Sequence, residues 1–183
     1  EKAIRQLAGE EAADQAAKEA IAMVQQAARK VKSPRVLSVL ALHLASLQSS
    51  QELHVEALRT LNTLLRKYPK SDFAERIRYM AARESEFIGT HESLQRAAQF
   101  YATCAERSEE LATKAGIHHA AVLLRLGQSE EAEHILVRIL RNKENMRPED
   151  KALANAVLAN NKALLGTAEG RAEAISIVGQ CLR

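Results

Sequence analysis

The sequence predicts an all-α protein in which antiparallel helical hairpins stack one on the next, an α-solenoid. Three observations lead there. The apolar set is lopsided, with 33 Ala and 23 Leu against three Phe, three Tyr and no Trp in 183 residues. Turn formers are scarce, three Pro and seven Gly, whereas an all-β chain needs them about every 8–12 positions. The third observation is a short pattern that recurs at a near-constant period.

The pattern is an anchor residue followed by apolar residues at i+4, i+7 and i+8, which continue one face of a helix. Ala57 precedes Leu61, Leu64 and Leu65; Ala132 precedes Leu136, Ile139 and Leu140; Ala174 precedes Val178, Cys181 and Leu182. Ala20, with Val24, Ala27 and Ala28, and Leu94, with Ala98, Tyr101 and Ala102, repeat it. Successive anchors lie 37, 37, 38 and 42 residues apart. Two antiparallel helices and two turns consume about 34–40 residues, and neither helix can bury its apolar face alone. A small anchor lets the second helix of a hairpin approach the first closely.

That register yields nine helices in order. Residues 10–31 carry the Ala20 pattern and read as a second helix without its first, while 2–8 read as the tail of a preceding helix. Ser33-Pro34 breaks the chain, because proline cannot donate a backbone hydrogen bond and restricts the residue before it. Residues 34–48 then form a first helix and 51–67, with Ala57, its partner. Tyr68-Pro69 stops that partner 35 residues after the first break, and Ser71 or Asp72 is placed to cap a helix over 72–88. Gly89 turns the chain into 92–106. Residues 109–126 end at Gly127, and 129–141 open with Glu130 and Glu131, whose charge suits a helix N-terminus. The polar stretch before Pro148 accounts for the 42-residue spacing, and 148–166 and 171–182 close the series around Gly166 to Gly170. No linker separates domains, so the expectation is one helical-repeat domain over 1–183, a segment of a longer protein.

Charge and cysteine narrow the function class. The net charge of +3 comes from 26 basic and 23 acidic residues, interspersed rather than striped, which disfavours nucleic acid as the partner. Cys104 and Cys181 lie in different segments without metal-ligand spacing and read as free thiols. No apolar run approaches the roughly 18 residues of a membrane span. With no signal-peptide pattern and two unpaired cysteines, a cytoplasmic location is expected.

The run Ala115-Gly116-Ile117-His118-His119-Ala120-Ala121-Val122-Leu123-Leu124-Arg125-Leu126-Gly127-Gln128-Ser129-Glu130-Glu131-Ala132 resembles the tetratricopeptide-repeat family. That family wants a small residue within the first helix (Ala120), Gly at the turn (Gly127), Ala five residues on (Ala132) and a large apolar residue four further (Leu136). Residues 44–69 match similarly through Ala45, Ala57, Leu61, Leu64 and Pro69. The family's aromatic positions are mostly Leu or Ala here, so the resemblance is to a divergent member. It implies a right-handed superhelix of hairpins and a non-enzymatic scaffold or adaptor that binds a peptide or partner helix along its first helices. The chaperone-tail clamp of that family needs Asn where this chain has His43, Met80 and His118, with only Asn160 fitting, so that variant of the function is disfavoured. The stretches 110–132 and 157–161 are also similar to part of the large tetratricopeptide subunit of the signal recognition particle. This implies an alternative role, a structural subunit of a ribonucleoprotein.

Candidate groove residues, taken from the first helices, are His43, Gln48, Arg78, Ser85, His118, Asn160 and Asn161. Arg29, Lys30, Lys32 and Arg35 form the densest basic cluster, which reads first as helix-dipole compensation and solubility and alternatively as a contact patch for RNA or an acidic partner. His118 and His119 are adjacent and point about 100° apart on a helix, so one metal or acid–base site cannot use both. Glu130 and Glu131 read as dipole-compensating, not catalytic. No nucleotide, hydrolase or metalloprotease motif occurs, and no catalytic residue, metal or cofactor is expected. The stripe Ile175, Val178, Cys181 and Leu182 has no later helix in this sequence to cover it, so further repeats, a partner subunit or a second copy of the chain, a homo-oligomer through the C-terminal helix, is expected to cover it.

Overall fold

The computed structural model describes residues 2–142 and 146–181, with side chains described for 12, 14–142 and 146–179. Among these residues there are nine α-helices and no strand. They are α1 (Lys2–Lys30), α2 (Pro34–Ser50), α3 (His54–Lys67), α4 (Ala74–Ile88), α5 (His91–Arg107), α6 (Ala112–Arg125), α7 (Ser129–Arg141), α8 (Pro148–Leu164) and α9 (Ala168–Cys181). They sort into two compact units, Glu1–Ile88 with α1 to α4 and Gly89–Arg183 with α5 to α9.

In the first unit α2 packs on α1 and α3, and α4 closes on α3. Ala45 of α2 and Ala57 and Leu61 of α3 are fully buried, the small residues standing where the helices come nearest. In the second unit α6 is central, packed against α5, α7 and α8, while α8 also packs on α7 and α9. Ile117, Ala120, Leu123, Ala132, Leu136, Ala154 and Leu158 form its core. Ala57 and Ala132, two of the five anchors, have no exposed surface, so the repeat register is physical.

Turns follow local chemistry. The α6 end is a Schellman motif: the Gln128 N–H donates to the Leu123 carbonyl at 2.9 Å and the Gly127 N–H to Leu124 at 3.0 Å. Gly127 takes the left-handed conformation this requires, φ 80°. The α2 end has the same pair of bonds, Leu53 N–H to Gln48 and Glu52 N–H to Ser49, but its left-handed residue is Glu52, φ 58°.

Five helix starts differ from expectation by two residues or more; α3 begins at His54 rather than 51 and α6 at Ala112 rather than 109. Residues 2–8 do not belong to a separate helix; they are the first turns of α1. Ser71 and Asp72 do not cap α4, which starts at Ala74: the Ala74 N–H donates to the Ser71 carbonyl in a turn, and Ser71 Oγ is buried without a hydrogen bond. The α9 helix starts at Ala168 rather than 171, because Thr167 Oγ1 accepts from the Gly170 N–H at 2.9 Å and caps it early. Gly170 is therefore helical, and it lies hard against α8, where an added Cβ would stand 2.5 Å from the Lys162 carbonyl oxygen.

Candidate functional site

In the second unit α5 and α7 each lean on α6, and between them an open cleft of about 1060 Å³ remains. Small side chains make its floor: Ala102 and Ala105 of α5, Ala112 and Gly116 of α6. Ile135 and Ile139 of α7 form an apolar wall. These two are only half-buried, although Leu136 beside them has no exposed surface. Charge sits on the rim, with Glu106, Glu131, Arg138 and Arg141 all exposed. None of the four is ion-paired among the described residues.

His119 projects into the cleft from α6, half-buried. Burial lowers its pKa below the ordinary histidine value; Glu131 opposes this, Arg138 adds to it and Glu106 opposes it. The imidazole is thus neutral at pH 7. It meets Glu131 only across the hairpin, because the two are 12 positions apart on different helices. A search for carboxylates at i+3 or i+4 on one helix misses this pair. The signal that finds it is the antiparallel register about Gly127.

The sequence-derived groove residues scatter. His43 on α2 and Asn160 on α8 are exposed. His118 is half-buried and stacks on Tyr101, ring centroids 5.4 Å apart. Arg78 is largely covered and paired with Glu75 at 2.5 Å. The other three serve packing in this structure. Gln48 is buried and its Oε1 accepts from Thr60 Oγ1 at 3.0 Å, joining α2 to α3. Ser85 is fully buried and donates to the Ala81 carbonyl of its own helix. Asn161 is fully buried and its Nδ2 donates to the Ser129 carbonyl at 3.1 Å, tying α8 to the start of α7.

Arg29, Lys30, Lys32 and Arg35 are all exposed around the turn between α1 and α2, with no ion pair among the described residues. On α9 Ile175 and Val178 are exposed at 74 % and 47 %; the Cys181 and Leu182 side chains lie outside the described residues. A polar cluster not foreseen from sequence joins α3 to α4: His54 Nδ1 lies 2.8 Å from Oε2 of the buried Glu84. The His54 ring stacks on Phe87 at 4.8 Å, with Arg83 over the same phenyl ring. Among the described residues no group of three or more His, Cys, Asp or Glu could hold a metal ion, and no helix is long and apolar enough to cross a membrane.

Helix pairs with alanine at the close crossings, repeating at this period, define a tetratricopeptide-like helical repeat fold. Two solved structures display it: the "putative kinesin light chain nearly identical TPR-like repeats" of Podosopora anserina, and a methionine-substituted variant of them. Each is 18 % identical to this chain over 92 % of its length and 86 % of theirs, with TM-scores of 0.74 and, for the variant, 0.76. At that identity the likeness speaks for the fold. No protein-family model matches the chain, and no curated protein does.

Proposed function

We propose that the protein is a non-enzymatic interaction scaffold that holds a peptide or helix of a partner protein in the cleft between α5 and α7. The observation that carries this reading is the cleft itself. It combines half-buried isoleucines with a rim of charges that have no ion-pair partner among the described residues. Recognition sites use this mixture of apolar anchor and orienting polar groups. The fold supports it, since stacked hairpins present extended surfaces. The test is hydrogen exchange on the protein with and without the partner that co-purifies from its source. Slowed exchange at Gly116, Ile135 and Ile139 is expected; slowing confined to α1–α4 would place the site elsewhere.

A second reading, a ribonucleoprotein subunit, rests on the four exposed basic residues at the α1–α2 turn. Nuclease treatment separates the two, because a partner held through RNA is lost and a directly bound peptide is not. A steep loss of binding with salt would also favour RNA.

A further inference from the structure

In the first unit, α1 to α4 follow one another through short turns and each packs on the next. They therefore alternate in direction, which puts the α1–α2 and α3–α4 turns at the same end of the unit. The two turns are charged alike. Each has two cations in the last turn of the incoming helix, Arg29 and Lys30 on α1 and Arg66 and Lys67 on α3. Each has one more in the connection, Lys32 and Lys70, and one in the first turn of the outgoing helix, Arg35 on α2 and Arg76 on α4. All of these are exposed, and none is ion-paired among the described residues. The acidic residues at the two turns are Asp72 and Glu75, and Glu75 is paired with Arg78.

Dipole compensation accounts for Arg29, Lys30, Arg66 and Lys67, because cations stabilise a helix C-terminus. It does not account for the others. Arg35 and Arg76 stand at helix N-termini, where positive charge is unfavourable, and α2 has no acidic residue in its first turn. At the opposite end of the unit α2 and α4 have no basic residue in their last turns, and α3 opens with Glu56. Cations are thus gathered at one end beyond what the helices need.

We propose that this end of the first unit docks an acidic, extended segment of a partner protein, with Asp or Glu side chains at both turns. Charge complementarity carries it, since a field of this sign draws in a polyanion. With helix axes about 8–10 Å apart, the two turns span roughly 20 Å, the length of about six extended residues. Single-stranded RNA is the less suited polyanion, because its recognition uses open aromatic faces. The rings at this end, Tyr68 and Phe73, are half-buried, and Lys67 lies over Tyr68. This surface is separate from the cleft in the second unit and does not depend on it.

The probe is a labelled peptide with blocked ends, Gly-Glu-Ser-Glu-Ser-Glu-Ser-Glu-Gly, too short to hold a helix in water. When it is extended, its carboxylates face one way. The comparisons are the same peptide with Lys for Glu and a uridine pentamer, whose phosphates match the carboxylates in number. Fluorescence anisotropy at about 0.15 M salt should show the glutamate peptide binding, the lysine peptide not binding and the pentamer binding no better than the glutamate peptide. Lys32→Glu/Arg35→Glu and Lys70→Glu/Arg76→Glu should each weaken the glutamate peptide about tenfold. Arg59→Glu/Arg83→Glu makes an equal change of charge at exposed positions, more than about 10 Å along the helices from this end and beyond the Debye length of about 8 Å. It should leave binding within about twofold. Each turn variant also places an acid in the first turn of a helix, so its melting temperature should not fall. Absent binding of the glutamate peptide, a loss confined to one turn, an equal loss in the control, or a lowered melting temperature in the turn variants overturns the proposal. Tighter binding of the pentamer, abolished by both turn variants, overturns it in favour of RNA. The cleft has its own readout, exchange at Gly116, Ile135 and Ile139 with the native partner, so either surface can fail without the other.

Discussion

Gly170 of α9 faces the Lys162 carbonyl of α8 so closely that a Cβ at 170 would stand 2.5 Å from that oxygen. The obstacle is backbone, which cannot swing aside, so Gly170→Ala must push α9 off α8. A loss of about 1–3 kcal/mol is expected, as for other overpacked sites. Gly179, on the same helix, has nothing within 4 Å of its Cβ position. Gly179→Ala should gain about 0.5–1 kcal/mol from helix propensity. Opposite shifts in melting temperature check the pair, and a shared sign would contradict this α8–α9 geometry.

The two Schellman ends make a second test. Glu52 holds a left-handed conformation that costs a non-glycine residue about 1–2 kcal/mol. After the larger chain entropy of glycine is subtracted, Glu52→Gly should stabilise by about 0.5–1 kcal/mol. Gly127→Ala should destabilise by a similar amount. Urea unfolding of the two variants measures both, and a destabilised Glu52→Gly protein would mean that the Glu52 side chain contributes something more than a turn.

Ala132 has no exposed surface, whereas Glu130, two residues earlier, is exposed. Leucine at 132 should cost about 1–3 kcal/mol by overpacking α7 against α6, and leucine at 130 within about half a kcal/mol of nothing. Equal melting temperatures would refute the repeat register. Glu133 is not the solvent-facing control that its place on the helix wheel implies, because it accepts a 2.6 Å bond from Lys162.

His54→Ala would leave the buried Glu84 carboxyl without its 2.8 Å partner. A loss of about 1–3 kcal/mol is expected for a buried polar group stranded in this way. Glu84→Gln keeps a hydrogen-bonding oxygen at the site and should lose less. Thermal unfolding of the two variants ranks them, and the reverse ranking would show that the bond contributes little.

Acid should weaken the second unit through His119. The folded imidazole titrates below 6.5, chiefly because burial disfavours its charged form. As pH falls from 7, the unfolded chain takes up the proton first, so stability drops until the folded ring is protonated as well. His119→Gln should flatten this part of the stability curve between pH 7 and about 5.5, a window set by the ordinary histidine pKa. Parallel curves for variant and parent would rule the effect out.

The fold was legible because its signals are local and repeated. Alanine at 57 and 132, glycine at 127 and proline at 34 and 148 each act through the backbone beside them. The candidate site was less so. Gln48, Ser85 and Asn161 occupy first-helix positions where polarity suggested a groove, yet each spends its polarity on packing, a distinction set by neighbours from other helices. The cleft's charges were visible as exposed residues but not as a set, since Glu106, His119 and Arg138 come from three helices. Thr167 escaped because the glycine at 170 drew the turn toward itself.

Helix α1 differs from α2 through α8 in one respect: none of its described side chains is fully buried. Its stability against opening therefore comes from partial contacts with α2 rather than from a locked core. Amides of α1 should exchange with solvent through small, frequent openings, well before those of α3 or α7. Each such opening would uncover the α2 face beneath and leave a three-helix body with a fresh apolar surface. A protease acting after Arg29 or Lys30 would sample that state, and the order in which fragments appear would read out the hierarchy of the fold.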